Sequence, residues 1–273
     1  MKSQSYITIS VSLFVLAFSA LHGSISAQRI AILTHQNTGV ETRSREKLRK
    51  HEEFRFLDDQ MSDSVLASAG LTDVSNLSSE ESKTLGSALG ARFLVVLRGD
   101  TFRRRTFENP KFFESFLSVA VVDAKRGTRV FWGLFTSEDP DATVSEKLLL
   151  EKIGNFVTTL KESVVDSPEP GAGPSLCAEA QDHRPPLPFK RISPSYPSQA
   201  NRYSIAATID AEATIGADGK VFDVRFLRWA GFGLEESVES TIRAMNWRAG
   251  DSGGKPCTAK ILLRYNFQDL EDN

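Results

Sequence analysis

The chain is poor in the residues that most enzymes and metalloproteins rely on, with four histidines and two cysteines among 273 residues. None of them falls in a ligand spacing such as Cys-x-x-Cys or His-Glu-x-x-His, so no metal centre is expected. A glycine-rich phosphate cradle is missing too, and no cofactor is expected. Excess charge of one sign is also lacking: 33 basic residues stand against 35 acidic ones, for a net charge of −2. That balance excludes bulk attraction to nucleic acid. Long apolar runs are absent except for Tyr6 to Leu21, which Ser10, Ser12 and Ser19 interrupt. A bilayer span wants about 20 apolar residues, and this run is short for one. Preceded by Met1-Lys2 and followed by Ser24-Ile25-Ser26-Ala27, it reads as a secretory signal over 1–27, with an uncleaved anchor as the alternative. No cysteine lies near the cleavage site, which argues against a lipid anchor.

What is present is strongest in the last third. From Ile205 to Ile215 the odd positions are apolar, and from Thr208 the even ones are polar. This period of two describes a strand with one buried and one wet face. Gly216-Ala217-Asp218-Gly219 turns the chain into a second strand, Val221 to Trp229, with Phe222, Val224 and Phe226 on one face and Trp229 outward. Leu234, Val238, Ile242 and Met245 then repeat at helical spacing. A last strand puts Ala259, Ile261, Leu263, Tyr265 and Phe267 inward. A helical crossover makes the second and third strands parallel and leaves room for the first between them. The third strand is therefore an edge, which either needs protection or serves to capture an extended peptide.

These residues resemble the TonB C-terminal domain family. Pro194-Ser195-Tyr196-Pro197 matches its opening element, Asp218-Gly219-Lys220-Val221 its turn, and Gly254-Lys255-Pro256 and Phe267 its last strand. The middle element departs, with Met245, Trp247 and Ala249 where the family has Trp, Phe and Pro. The resemblance implies a non-catalytic periplasmic module that binds partner segments by strand addition, such as the plug-proximal segment of an outer-membrane receptor. Thr258, Lys260, Leu262, Arg264 and Asn266 would form the partner-binding edge. In its anchored form the family couples to an inner-membrane motor and transduces energy. A soluble periplasmic adaptor is the alternative, and a homodimer through the same edge is a third arrangement.

Residues 29–165 read as strand, helix, strand, helix, three strands and a closing helix, an α/β sandwich-like domain. Arg29 to Leu33 is the first strand. The charged stretch Thr38 to Glu53 reads as a solvated helix or loop. Gln60 to Ala69 is a helix closed by Gly70, and Ser78-x-x-Glu81 opens another as a capping box. Phe93 to Leu97, Leu117 to Val122 and Val130 to Phe135 are strands, and Arg103-Arg104-Arg105 marks a solvated hairpin tip. Thr143-x-x-Glu146 is expected to cap a helix burying Leu149, Ile153, Phe156, Leu160 and Val164. The pattern around Leu89 to Val96 and Val121-Val122-Asp123 resembles TolB N-terminal and CsgG-type envelope domains.

The whole is thus an α+β chain: this domain, a Pro-rich extended linker over 166–190, and a small split β-β-α-β domain with a three-stranded antiparallel sheet over 191–270. An exported chain with Cys177 and Cys257 should join them in one disulfide. Gly250-Asp251-Ser252-Gly253-Gly254 matches the string around the nucleophile of chymotrypsin-like proteases. Only 21 residues follow Ser252, too few to complete such an enzyme, and none of the histidines sits in the matching context. A loop between helix and strand is the simpler reading.

Overall fold

The computed structural model describes residues 28–71, 73–107, 111–165, 174–177 and 183–268. The expected signal over 1–27 lies outside the described residues, as does much of the 166–190 stretch. Among the described residues no helix is long and apolar enough to cross a membrane.

The first half contains β1 (Arg29–Thr34), α1 (Gly39–Arg49), β2 (Arg55–Phe56), α2 (Asp59–Ala69), α3 (Ser79–Leu89), β3 (Phe93–Arg104), β4 (Phe112–Asp123), β5 (Thr128–Asp139) and α4 (Ala142–Val165). The sheet order is β2-β1-β3-β4-β5, with β1 parallel to β2 and β3 and the β3-β4-β5 meander antiparallel. Alternation sorts its side chains: Ile30, Ile32, Phe93, Val95, Leu97, Leu117 and Val119 meet α1 and α4. Ala31, Leu33, Leu94 and Val96 point the other way, to Leu85 and Leu89 of α3 and to Leu57, Val74 and Leu77. The α4 stripe Leu149, Ile153, Phe156, Leu160 and Val164 is buried as its spacing predicts.

Local signals explain the helix ends. Ser78 accepts from Glu81 N while the Glu81 carboxylate accepts from Ser78 N, and α3 ends on Gly90 at φ 61°, a conformation costly for any residue with a Cβ. The start of α4 is a correction: Asp141 Oδ1, not Thr143, accepts from the N–H groups of Thr143 and Val144. Glu146 instead accepts from Thr101 and Arg43. The charged stretch from Thr38 is a second correction. It forms a capped helix, but Glu41 is fully buried, accepting from the N–H groups of Gln36 and Gly99 at 2.9 and 3.0 Å. Arg45 is also buried, bonded to Thr34 and Asp63. Solvated and buried charges look alike in sequence when the partners are distant.

The second half contains β6 (Leu187–Pro188), α5 (Ser198–Arg202), β7 (Ala207–Ile215), β8 (Val221–Arg228), α6 (Leu234–Ala244), β9 (Trp247–Arg248), β10 (Gly250–Ser252), β11 (Lys255–Cys257) and β12 (Ala259–Phe267). Its three-stranded antiparallel sheet has the order β12-β7-β8, with the first strand in the middle as expected. Ile209, Ala211, Ala213 and Ile215 are wholly buried against Leu234, Val238 and Ile242 of α6. Phe222 departs from the face it was expected to share with Val224 and Phe226, which pack against this core. A bulge pairs Ile215 with Val221 and Thr214 with Asp223, so Phe222 is the extra residue and is 61% exposed. The Gly250 to Gly254 string is part of the β10–β11 hairpin. Two short ties run beside it: β6 pairs with β9, and Arg184 exchanges two backbone hydrogen bonds with Asp251.

The two halves share one apolar core. Phe116, Phe102, Trp132 and Leu134 of the first sheet pack against Tyr203, Phe232 and the α6 layer. Phe116 stacks on Tyr203 with ring centroids 4.4 Å apart, and Trp132 meets Phe232 edge-on at 5.2 Å. Trp229, expected outward over the C-terminal sheet, is 4% exposed and lies in the core beneath α3, with Leu77 and Val74.

Candidate functional site

β12 pairs with β7 over nine residues in unbroken register, Ala259 with Ile215 through Phe267 with Ala207. Among the described residues no strand pairs with its other side. In an antiparallel sheet the N–H and C=O of one residue point to the same side, and successive residues alternate. Two contacts fix the phase. The Thr258 carbonyl accepts from Cys177 N at 2.8 Å, away from β7. On the far side of β7, Thr208 N–H and C=O are both taken by the Asn76 side chain. Lys260, Leu262, Arg264 and Asn266 therefore turn their backbone groups to the unpaired edge, and Ala259, Ile261, Leu263, Tyr265 and Phe267 turn theirs to β7.

The side chains of that row lie on the polar outer face of the sheet. Lys260 Nζ donates to Glu212 Oε1 at 2.9 Å, and Arg264 grips Asp210 through two bonds of 2.6 and 2.9 Å. Asn266 Oδ1 accepts from Thr208 Oγ1. Arg228 also reaches Asp210, at the Oδ2 that Arg264 shares, and bonds Glu81 of α3. The Arg264 guanidinium, outweighing burial, holds the Asp210 carboxyl below the usual carboxylate range and is itself raised. Leu262, 62% exposed, has no such tie and is the apolar member of the row. Thr258 stands just ahead of β12, its carbonyl already occupied by Cys177. Cys177 and Cys257 form the expected disulfide, which clamps that first rung.

The other edge is less accessible. β8 is bulged at both ends of its pairing with β7, and its last residue, Arg228, bridges to Ser78. Natural edges are blunted by such irregularities and covers, and β12 has fewer of them.

Sequence reading missed the residues that weld the halves together. The Asn76 amide donates to Thr208 O and Trp229 O and accepts from Thr208 N, taking the place of a strand beside β7. Glu114, 2% exposed, accepts from Arg104, Arg202 and Tyr203. Glu235 accepts from Arg129 and from the N–H groups of Ala230 and Gly231. One signal was available: Glu114 is a lone acid inside the apolar run Phe112 to Val122, which in a strand calls for a buried cation. Asn76 carried none. Among the described residues there is no group of His, Cys, Asp and Glu able to hold a metal.

Residues 192–268 match the family model described as Gram-negative bacterial TonB protein C-terminal. Comparison with curated proteins finds no match. Among solved structures, the lipoprotein GNA1162 from Neisseria meningitidis is 10% identical, with a TM-score of 0.35 over 50% of this chain and 99% of that one. The TonB CTD of Pseudomonas aeruginosa is 21% identical, with a TM-score of 0.27 over 33% of this chain and 90% of that one. The LpoB C-terminal domain from Salmonella enterica is 12% identical, with a TM-score of 0.30 over 42% of this chain and 85% of that one.

Proposed function

Proceeding from a C-terminal domain of the TonB C-terminal family over residues 192–268, we propose that this protein is a cell-envelope binding module that captures an extended segment of a partner along β12. The observation that carries this reading is the row of edge-facing backbone groups at Lys260, Leu262, Arg264 and Asn266, on a strand of unbroken register. An added strand would satisfy these groups, and side chains at alternate positions would select it. The outer face of the captured strand would meet an apolar Leu262 between Lys260 and Arg264. The inner face would meet the partly buried Ile261, Leu263 and Tyr265. The family resemblance nominates an outer-membrane receptor segment as partner. The role is one of binding, with no catalytic residue and no cofactor.

A photoreactive residue at Leu262 should cross-link to a partner in cells, while one at Arg225 on β8 should not. Leu262→Pro removes an edge-facing donor without disturbing the bonds to β7, and should weaken capture at least about tenfold, by one lost rung and its neighbours. Cross-linking that survives in a folded Leu262→Pro protein would defeat the reading. A cross-link only to a second copy would replace it with edge-to-edge dimerisation.

Within this reading, one observation favours a periplasmic adaptor over an energy transducer. The C-terminal sheet is tied to the first half through Asn76, Glu114 and buried Trp229, so pulling on one half would load the other. A motor-coupled transducer also needs an anchored N-terminus. The N-terminal mass of the protein from fractionated cells decides: a chain starting near Ala27 or Gln28 in the soluble periplasm supports the adaptor, and a full-length chain in the inner membrane supports transduction.

A further inference from the structure

The hairpin between β3 and β4 has a tip that neither the strand edge nor the joint between the halves uses. From Thr101 to Phe113 the sequence sets four cations, Arg103, Arg104, Arg105 and Lys111, against one acid, Glu108. Arg104 is occupied by Glu114 and by the Arg202 carbonyl. Arg103, Arg105 and Lys111 are exposed, and no carboxylate pairs with them among the described residues. Lys111 instead lies 5.4 Å from the centroid of the Phe113 ring. Beside them Phe107 projects wholly into solvent, the most exposed large apolar side chain described. The neighbouring strand end carries acids, but they are engaged: Arg202 holds Glu138, and backbone N–H groups occupy Asp139 and Asp141.

Single exposed apolar residues are ordinary on protein surfaces. A fully exposed phenyl ring on a hairpin that also carries three exposed cations unpaired among the described residues is a more specific pattern. A surface that complements it must be anionic at its face and apolar just beneath. We propose that this tip docks onto an anionic phospholipid bilayer, with Phe107 entering the boundary between headgroups and acyl chains while Arg103, Arg105 and Lys111 meet lipid phosphates. A soluble polyanion answers the cations and leaves Phe107 in water; a neutral bilayer answers Phe107 and leaves the cations without counter-charge. The whole chain carries a net charge of −2, so the attraction is local to the tip. The contact is weak and reversible, since one aromatic side chain and three cations fall far short of an inserted helix. It does not depend on peptide capture at β12.

The test is sedimentation of the full chain with vesicles of equal parts phosphatidylethanolamine and phosphatidylglycerol, against vesicles of phosphatidylcholine. Binding is expected to the first and not the second, and to fall with salt. Replacing Arg103, Arg105 and Lys111 together by Ser should weaken it on the order of 100-fold, from the contribution of each cation near a charged surface. Phe107→Ala should weaken it several-fold. Phe107→Trp should add an emission component that shifts to the blue with anionic vesicles, a readout of insertion that charge alone does not produce. All four positions are exposed, and unchanged circular dichroism confirms that the variants fold. Equal binding to both vesicle types, undiminished binding of the triple variant, or an unshifted Phe107→Trp spectrum would overturn the proposal. So would binding to single-stranded DNA or polyglutamate in preference to anionic vesicles.

Discussion

Asn76 does more for this molecule than its size indicates. Its amide supplies three hydrogen bonds to the backbone of β7 and of the turn after β8. Asn76→Ala leaves Thr208 N–H and two carbonyls without partners in a site largely closed to water. The expected cost is about 2–4 kcal/mol, from the penalty for buried unmade bonds, read as a lower urea midpoint with an unchanged slope. Acid should act on single carboxylates. Burial alone would raise Asp73, but the His35 imidazole and the Ser75 donors hold it at about 2. Arg264 lowers Asp210 against burial, and Arg228 and Ser78 lower Glu81 against burial. Groups depressed in the folded state stabilise it fully above the ordinary carboxylate range, near pH 4, and lose that contribution as pH falls through their own lower values. Stability should therefore be flat from about pH 7 to 5 and decline from about pH 4 towards 2. Asp73→Asn should remove the most acidic part of that decline. A decline centred near pH 6 would assign acid sensitivity to other groups.

At the scale of elements, the strands were legible where one face is dry and the other wet. The alternation from Ile205 to Ile215 located β7, and the crossover argument placed it between its neighbours. Two expectations failed, each for its own reason. Phe222 does not share a face with Val224 and Phe226, because simple alternation cannot register a bulge, which shifts the phase by one residue. Trp229, expected outward, is buried through α3, some 140 residues earlier in the chain and out of reach of local patterns. The edge strand itself was readable, but which of its residues turn their backbones outward was not. That phase became visible only through the bonds of Cys177 and Asn76. The disulfide belongs to this scale too. It closes a separation of 80 residues and fastens the start of β12. Cys257→Ser should cost about 2–4 kcal/mol, measured as a fall in thermal midpoint that reductant reproduces in the parent protein and leaves unchanged in the variant.

For the whole molecule, the decisive feature is that the two sheets meet through a shared core and a set of polar ties centred on Asn76, Glu114, Arg228 and Glu235. Gly231 shows how close the approach is: at φ 81°, a Cβ there would lie 2.1 Å from the Trp132 indole. Residues 28–165 and 183–268 should unfold together, in one calorimetric transition whose van't Hoff and calorimetric enthalpies agree. Glu114→Ala strips Arg104, Arg202 and Tyr203 of their common acceptor and should lower that single transition by about 1–3 kcal/mol, mostly from the buried Tyr203 hydroxyl, since both arginines can reach water. Two separate transitions in the parent protein would show that the halves are independent. Little of this union was legible beforehand, because it rests on pairs such as Asn76 with Trp229 and Glu114 with Tyr203 that have no sequence proximity to announce them.

Trp229 also sets a schedule for the chain as it emerges. The core beneath α3 cannot close until Trp229 is available, and β7 lacks its neighbour at Thr208 unless residue 76 is already in place. A nascent chain that has delivered only its first half carries an unfilled slot among Leu77, Val74 and Leu85 and an apolar sheet face at Phe116 and Trp132. Contacts so far apart in sequence form late and slowly. The first half must therefore wait, sticky and incomplete, for most of the remaining chain. This is the interval in which chaperone protection would matter most and in which truncated products would be cleared rather than folded.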